Sequence, residues 1–153
     1  MQDPQQPIVE LAGGDPFDAV LSESRAHQRA HGCGLFPAGP AVMQLASMFV
    51  RAAGCHTILD LGCGIGYSTF WLANANAEVK VTGIDADDGH VKLARAACTR
   101  LALNGGVSFI VGELLTFFSP STAQSMLFMT TPGSRVGRHT WTQCSACYGR
   151  GAY

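Results

Sequence analysis

The sequence predicts an α/β fold with a doubly wound parallel sheet, because short apolar runs alternate with segments of helical periodicity. Three of these runs, at 58–61, 79–85 and 107–111, are typical of buried strands. A glycine-rich turn follows the first run, and the acidic end of the second lies about twenty residues further on, which is the offset of one βαβ unit. We therefore expect parallel strands joined by helices that pack on the sheet.

Two helices are predicted ahead of the first strand. The first spans 16–31, with Asp15 as its N-cap and Pro16 at the first helical position. The second spans 40–53 and ends at Gly54. Its helical spacing places Val42, Leu45, Ala46, Phe49 and Ala53 on one face, and three aromatic residues, Phe17, Phe36 and Phe49, are expected in the core.

Helical segments also follow the first two strands. One spans 66–75, and the other begins at Asp87 and Asp88, whose carboxylates suit the positive end of a helix dipole. In the second helix Val91, Ala94, Cys98 and Leu101 share one face. A short helix at 114–118 and a fourth strand within 125–130 are expected next. The predicted organisation is a flexible arm over 1–15, a domain over 16–130 and an irregular tail over 131–153.

Composition narrows the class of protein. The chain has 153 residues, of which 47% are hydrophobic and 14% charged, as expected for one compact domain. A net charge of −1 gives no electrostatic reason to expect nucleic acid as a partner. There is no apolar run of the roughly 20 residues that a membrane span needs, and the first residues lack the pattern of a signal peptide. We expect a cytoplasmic protein whose six cysteines are free thiols.

The turn after the first strand predicts a nucleotide-type cofactor. Its glycines follow a Gly-x-Gly-x-Gly spacing from Gly62 to Gly66, and Tyr67 stands where a dinucleotide fingerprint has its third glycine. Asp60 ends the strand, where a parallel sheet places its ligand crevice. Its carboxylate would repel a pyrophosphate but suits a ligand with an ammonium group and no phosphate. S-adenosylmethionine is such a ligand, so Asp60 favours it over NAD.

The acidic residue at the end of the second strand supports an adenosine-containing ligand. Asp85 follows the β-branched run Val79–Ile84, and a carboxylate there can accept hydrogen bonds from both ribose hydroxyls. This contact is common to NAD and S-adenosylmethionine. The choice between the two cofactors therefore rests on Asp60.

These motifs resemble those of a known family. Residues 58–70 and 81–85 are similar to motifs I and II of class I S-adenosylmethionine-dependent methyltransferases, and Gly66-Tyr67-Ser68 is similar to the O-methyltransferase branch related to catechol methyltransferases. The resemblance covers roughly 32–118 and implies a Rossmann-like fold. It implies that Asp60 lies near the methionine amino group, that Asp85 holds the ribose and that Ala86 and Glu113 lie near the adenine. The full predicted cofactor set is Asp60, Gly62, Cys63, Gly64, Gly66, Tyr67, Ser68, Asp85, Ala86 and Glu113.

The activity that the resemblance implies is methyl transfer to a hydroxyl of a small molecule. No acidic residue follows Glu113, although the family pattern expects several there, including one that helps to bind magnesium in the catechol branch. We therefore leave the catalytic residues unassigned and predict no metal ligand. The composition change near Ser119 suggests a truncated or frame-shifted relative with a sheet that is incomplete on its C-terminal side. Whether the chain is an enzyme stays open.

Three alternatives remain beside an active methyltransferase. A donor-binding remnant is one, and an NAD-type oxidoreductase domain, disfavoured by Asp60, is another. The third is a non-catalytic fragment that needs a partner to complete its sheet, with self-association through an open strand edge. In the tail, Cys144 and Cys147 with His139 have part of the spacing of a zinc site. A tail with incidental cysteines is the preferred interpretation.

Overall fold

The computed structural model of the protein describes residues 13–113 and, for its backbone, the strand at 127–130. Most of the predicted N-terminal arm, the predicted helix at 114–118 and the predicted tail lie outside these residues. The elements in chain order are α1 (Asp18–His31), α2 (Pro40–Ala52), β1 (Thr57–Leu61), α3 (Tyr67–Ala73), β2 (Lys80–Asp85), α4 (Asp88–Arg100), β3 (Val107–Val111) and β4 (Leu127–Thr130).

The strands form one parallel sheet in the order β3-β2-β1-β4. Asp60 of β1 pairs with Gly83 of β2, which pairs in turn with Phe109 of β3. The chain moves outward from β1 to β3 on one side and returns to place β4 on the other side of β1. The strand order therefore reverses at β1, and the carboxyl end of this strand is a topological switch point. The predicted α/β class and parallel sheet are confirmed.

The main apolar cluster lies between the helices and one face of the sheet. Ile58, Val81 and Phe109, one from each of three strands, belong to this cluster together with buried residues of all four helices. Phe109 meets the ring of Phe70 edge to face at a centroid distance of 5.9 Å. Gly83 allows this packing, because a Cβ on Gly83 would lie only 2.8 Å from the Phe109 ring. The sheet and α3 are thus held in a fixed relation directly beneath the glycine turn.

The predicted buried face of α2 is wrong. Its buried residues are Pro40, Met43, Ser47 and Val50, whereas Leu45 and Phe49 are 52% and 62% exposed. Polar contacts account for the rotation of the helix. The Ser47 hydroxyl donates to the carbonyl oxygen of Trp71 at 3.0 Å, and the Arg51 Nε donates to that of Ala75 at 2.7 Å. These two bonds bring the Ser47 side of α2 against the end of α3.

Two further aromatic residues were expected in the core, with opposite outcomes. Phe17 is buried, as predicted, and packs against Phe70 and Trp71. The prediction for Phe36 is wrong, since its side chain is 53% exposed. Phe36 lies in the irregular segment 32–39, where no helical or strand period fixes which side chain faces inward.

The helix starts agree only partly with the predictions. Asp87 caps α4 as expected, because its Oδ1 accepts from the backbone N–H groups of Gly89 and His90. Helix α1 begins two residues later than predicted, and its N-cap is Phe17. Asp15 instead accepts the Phe17 N–H at 2.8 Å. Its carboxylate therefore holds the backbone of the segment just before the helix and does not cap the helix itself.

The described residues also bear on membrane spanning and on the state of the cysteines. In the described ranges, no helix is both long and apolar enough to cross a membrane. The four cysteines of the same ranges, Cys33, Cys55, Cys63 and Cys98, are free thiols, as expected. Cys144 and Cys147 lie outside them.

Candidate functional site

The glycine turn adopts a conformation that requires glycine. Gly62, Gly64 and Gly66 have φ angles of +77°, +55° and +96°, a region that other residues rarely occupy. The N–H groups of Gly62 and Cys63 both donate to the carbonyl oxygen of Ile84, at 2.8 and 3.1 Å. The turn is therefore anchored to the end of β2 and lies over the switch point of the sheet.

Gly66 closes the turn and begins α3. Its N–H donates to the carbonyl oxygen of Cys63 at 2.9 Å, and it is the N-cap of the helix. A Cβ at this position would lie 2.8 Å from Cζ of Phe70 and 3.1 Å from Cζ of Phe109. The third glycine is thus needed for close packing of α3 on the sheet, whatever ligand the turn holds.

Asp60 is a fully buried carboxylate at the carboxyl end of β1. Its Oδ2 accepts hydrogen bonds from the hydroxyls of Ser68 at 2.7 Å and Thr69 at 2.6 Å. Its Oδ1 has no hydrogen-bond partner among the residues that the structure describes. Burial raises the pKa of Asp60 to about 6, against the two hydrogen bonds that favour its charged form. A buried oxygen of this kind is a position for a positively charged donor.

Asp85 links the end of β2 to the glycine turn. Its Oδ2 accepts the N–H of Gly64 at 2.8 Å, and its Oδ1 accepts that of Asp87 at 2.9 Å. Nδ1 of His90 lies 3.4 Å from the same Oδ1. Burial by itself would raise the pKa of Asp85, but the hydrogen bonds from His90, Asp87 and Gly64 outweigh it and lower the pKa. The charged carboxylate retains acceptor capacity, since it offers about four lone-pair sites.

Ser68, Tyr67 and Cys63, the other predicted residues with side chains at the turn, each have a different role. Ser68 is buried and reaches Asp60, so it acts through that carboxylate. The hydroxyl of Tyr67 donates to Oδ2 of Asp15 at 2.7 Å, which ties α3 to the segment ahead of α1. Cys63 is buried, and burial raises the pKa of its thiol. Its backbone is therefore the part that serves the turn.

The two predicted adenine neighbours lie at the same edge of the sheet. Ala86 follows the end of β2 and Glu113 follows the end of β3 by two residues, and both are exposed. Because adjacent parallel strands end on the same side, these residues border the crevice that contains Asp60 and Asp85. The structure therefore brings all of the predicted residues to one end of the sheet.

Three residues of this region were missed from the sequence. Thr69 is the second hydroxyl on Asp60, and its position next to Ser68 was an available signal. His90 contacts Asp85, and its place in the first turn of α4 was another signal. Leu35 packs directly against Gly64. It lies in the irregular segment 32–39, so no local pattern indicated this contact.

Comparison with known proteins identifies the family of this chain. The model of the family described as "Methyltransferase domain" matches residues 58–143. A protein of Mycobacteroides abscessus whose name assigns it to the O-methyltransferases is 32% identical over 117 residues, which are 69% of this chain and 54% of that protein.

Solved structures of O-methyltransferases are also similar to this chain. The O-methyltransferase from Bacillus cereus, solved with S-adenosylhomocysteine, is 28% identical with a TM-score of 0.56, over 66% of this chain and 46% of that one. The O-methyltransferase TomG from Streptomyces achromogenes, solved with S-adenosylmethionine, shares the fold at 22% identity and a TM-score of 0.60, over 72% and 52% of the two chains. The chain spans about half the length of these proteins. Since the family model covers more than half of the chain, this protein belongs to the methyltransferase domain family.

Proposed function

We propose that this chain binds S-adenosylmethionine and, as the donor-binding part of a methyltransferase, serves methyl transfer to a hydroxyl of a small molecule. One observation supports this proposal most strongly. Oδ1 of Asp60 is a buried carboxylate oxygen without a partner in the described residues, and it lies at the switch point beneath a glycine turn. The ammonium group of the methionine half provides the positive charge that such an oxygen lacks.

The residues around Asp60 fit the remaining parts of the cofactor. In this proposal the binding domain spans 16–130, and Asp85 accepts the ribose hydroxyls while it keeps its bond to Gly64. The exposed positions Ala86 and Glu113 border the adenine. The proposed contacts to the methionine and ribose come from the turn and the start of α3, namely Gly62, Cys63, Gly64, Gly66, Tyr67 and Ser68, with Tyr67 and Ser68 acting through their hydrogen bonds.

When bound, the cofactor would supply a sulfonium-bound methyl group for transfer to the oxygen of the acceptor. The protein has to align donor and acceptor and to accept the proton of the hydroxyl. The described residues provide the donor side through Asp60, Asp85 and the turn. No catalytic base is assigned to them.

An NAD-type oxidoreductase is the less favoured alternative. A pyrophosphate placed on the glycine turn would lie next to the buried carboxylate of Asp60, and the two negative charges would repel each other. Asp85 does not distinguish the two cofactors.

Two further proposals concern partners and location. Self-association through an open strand edge is supported by the sheet of the described residues, in which β4 is the outer strand on the C-terminal side and β3, with Ile110 and Val111 each 41% exposed, is the outer strand on the other side. A cytoplasmic location is supported by the free thiols of Cys33, Cys55, Cys63 and Cys98.

Calorimetric titration of the protein with S-adenosylhomocysteine and, separately, with NADH tests the proposed function. We expect S-adenosylhomocysteine to bind in a 1:1 complex, and Asp60→Asn and Asp85→Asn each to weaken it. Asp18→Asn, which changes an exposed carboxylate on α1, is the matched control and should leave the affinity unchanged. Binding of NADH alone, or of neither ligand by the folded protein, would overturn the proposal.

A further inference from the structure

A second cluster of chemically active side chains lies beside the proposed cofactor site. His27 of α1, Cys33 of segment 32–39 and His90 of α4 each place one potential ligand atom within 4.8 Å of the other two. These residues come from three separate parts of the described chain, and no local pattern of the sequence groups them. His27 and Cys33 have no part in the donor-binding role proposed above, and His90 enters it only through its contact with Asp85.

His90 has the arrangement of a metal-ligating histidine. Its Nδ1 faces Oδ1 of Asp85 at 3.4 Å, while its Nε2 is buried without a hydrogen-bond partner in the described ranges. The side chain is only 9% exposed. Histidine ligands commonly direct one ring nitrogen to a carboxylate and the other to the metal, and the carboxylate fixes the ring orientation. Asp85 and His90 already form the outer half of such a site.

The local backbone brings the other two side chains to the His90 ring. Gly32 ends α1 in the left-handed conformation, with φ of +59°, and so turns the chain at Cys33. Cys33 is a half-buried free thiol. The ring of His27 meets that of His90 edge to face, with 5.2 Å between the centroids. A thiol and a second imidazole therefore lie beside the His90 ring.

The charges around the cluster favour a cation. Oδ2 of Asp87 lies 3.9 Å from Nε2 of His90, in addition to the carboxylate of Asp85 on the other ring nitrogen. The donor set itself excludes a preference for magnesium or calcium, which bind oxygen ligands. Thiolate and imidazole together are typical ligands of zinc.

We propose that His27, Cys33 and His90 form a binding site for one zinc-type divalent ion. Ligand atoms on a tetrahedral zinc lie about 3.5 Å apart, as its bond lengths require. Because the three donors lie within 4.8 Å of one another, they have to close by at most about 1.3 Å. The side chains of His27 and Cys33 can do so because both are only half-buried. Three protein ligands leave the fourth position to water. The ion would fasten α1 and segment 32–39 to the start of α4, next to Asp85.

Cobalt and zinc titrations of the full chain test the site. Cys144 and Cys147 are first replaced by serine, so that the tail cannot supply a thiolate. In this background we expect one equivalent of Co²⁺ to bind with a thiolate-to-cobalt charge-transfer absorption, and Zn²⁺ to displace it. Cys33→Ser should abolish this absorption. His27→Gln should weaken Zn²⁺ binding by more than the 10- to 100-fold that is typical of losing a second-shell partner.

Controls separate metal binding from folding. Cys55→Ser, in the same background, changes another half-buried thiol outside the cluster and should keep both the absorption and the affinity. His27 does not belong to the apolar core, so His27→Gln should retain the circular dichroism of its parent. If Cys33→Ser fails to fold, the Zn²⁺ affinity of His27→Gln is the measurement that tests the site. Absence of stoichiometric metal in the background protein would overturn the proposal. Equal Zn²⁺ affinity in His27→Gln and its parent would do so as well.

Discussion

Replacement of Asp60 by asparagine should make the protein more stable and its cofactor site weaker. Oδ2 of Asp60 accepts both hydroxyl hydrogen bonds, from Ser68 and Thr69, and the amide oxygen of asparagine can accept the same two bonds. The amide nitrogen then takes the place of Oδ1, which has no partner in the described part of the chain. The substitution therefore removes a buried charge and keeps the local hydrogen bonds.

The magnitude follows from the pKa of Asp60. Burial raises this pKa from 3.8 to about 6, so the folded protein binds the proton more tightly than the unfolded chain does. The free energy of unfolding of the parent should fall as the pH rises from about 4 to above 6, by about 3 kcal/mol in total. The free energy of unfolding of Asp60→Asn does not decrease in this way, because the amide does not titrate. The stability difference between variant and parent should thus grow by up to about 3 kcal/mol from pH 4 to pH 7.

Urea unfolding at four pH values between 4 and 7 measures this difference, and other carboxylates cancel because both proteins contain them. Asp18→Asn, at an exposed site, is the matched control for the binding measurement and should leave the affinity for S-adenosylhomocysteine unchanged. In the same variant series, S-adenosylhomocysteine should bind Asp60→Asn about 10- to 150-fold more weakly, the equivalent of one hydrogen bond to a charged group. A constant stability difference across this pH range would refute the assignment of a buried charge. Unchanged affinity would refute its role in binding.

Three further substitutions test the packing of the site by urea unfolding at pH 7, except where stated. Gly66→Ala should lower the free energy of unfolding by more than about 2 kcal/mol, because the left-handed conformation costs about 1–2 kcal/mol and the new Cβ would lie 2.8 Å from Phe70. A smaller decrease would contradict the described turn. Ser68→Ala removes a hydrogen bond to Asp60 and should shift the pH midpoint of the Asp60-dependent stability change upward, whereas a downward shift would contradict that bond. Phe49→Ser should change stability by less than about 1 kcal/mol, since the ring is 62% exposed, and a loss typical of core aromatic residues, about 3–5 kcal/mol, would place Phe49 in the core after all.

The sequence by itself determined the strands, the turn and the start of α4, because each of these depends on residues close together in the chain. A positive φ requires glycine at Gly62, Gly64 and Gly66 whatever surrounds them. Asp87 caps α4 through backbone groups two and three residues away. Asp60 could be assigned to the ligand edge because strand ends in a parallel sheet have a known relation to the crevice.

The tertiary structure alone decided how distant segments meet. The rotation of α2 follows from the hydrogen bond of Ser47 to α3, twenty-four residues along the chain, and it exposes the apolar face that periodicity had placed inside. The contact of Leu35 with Gly64 and the meeting of His27 and Cys33 with His90 likewise join separate segments. Such contacts depend on the packing of whole elements, and no local period of the sequence encodes them.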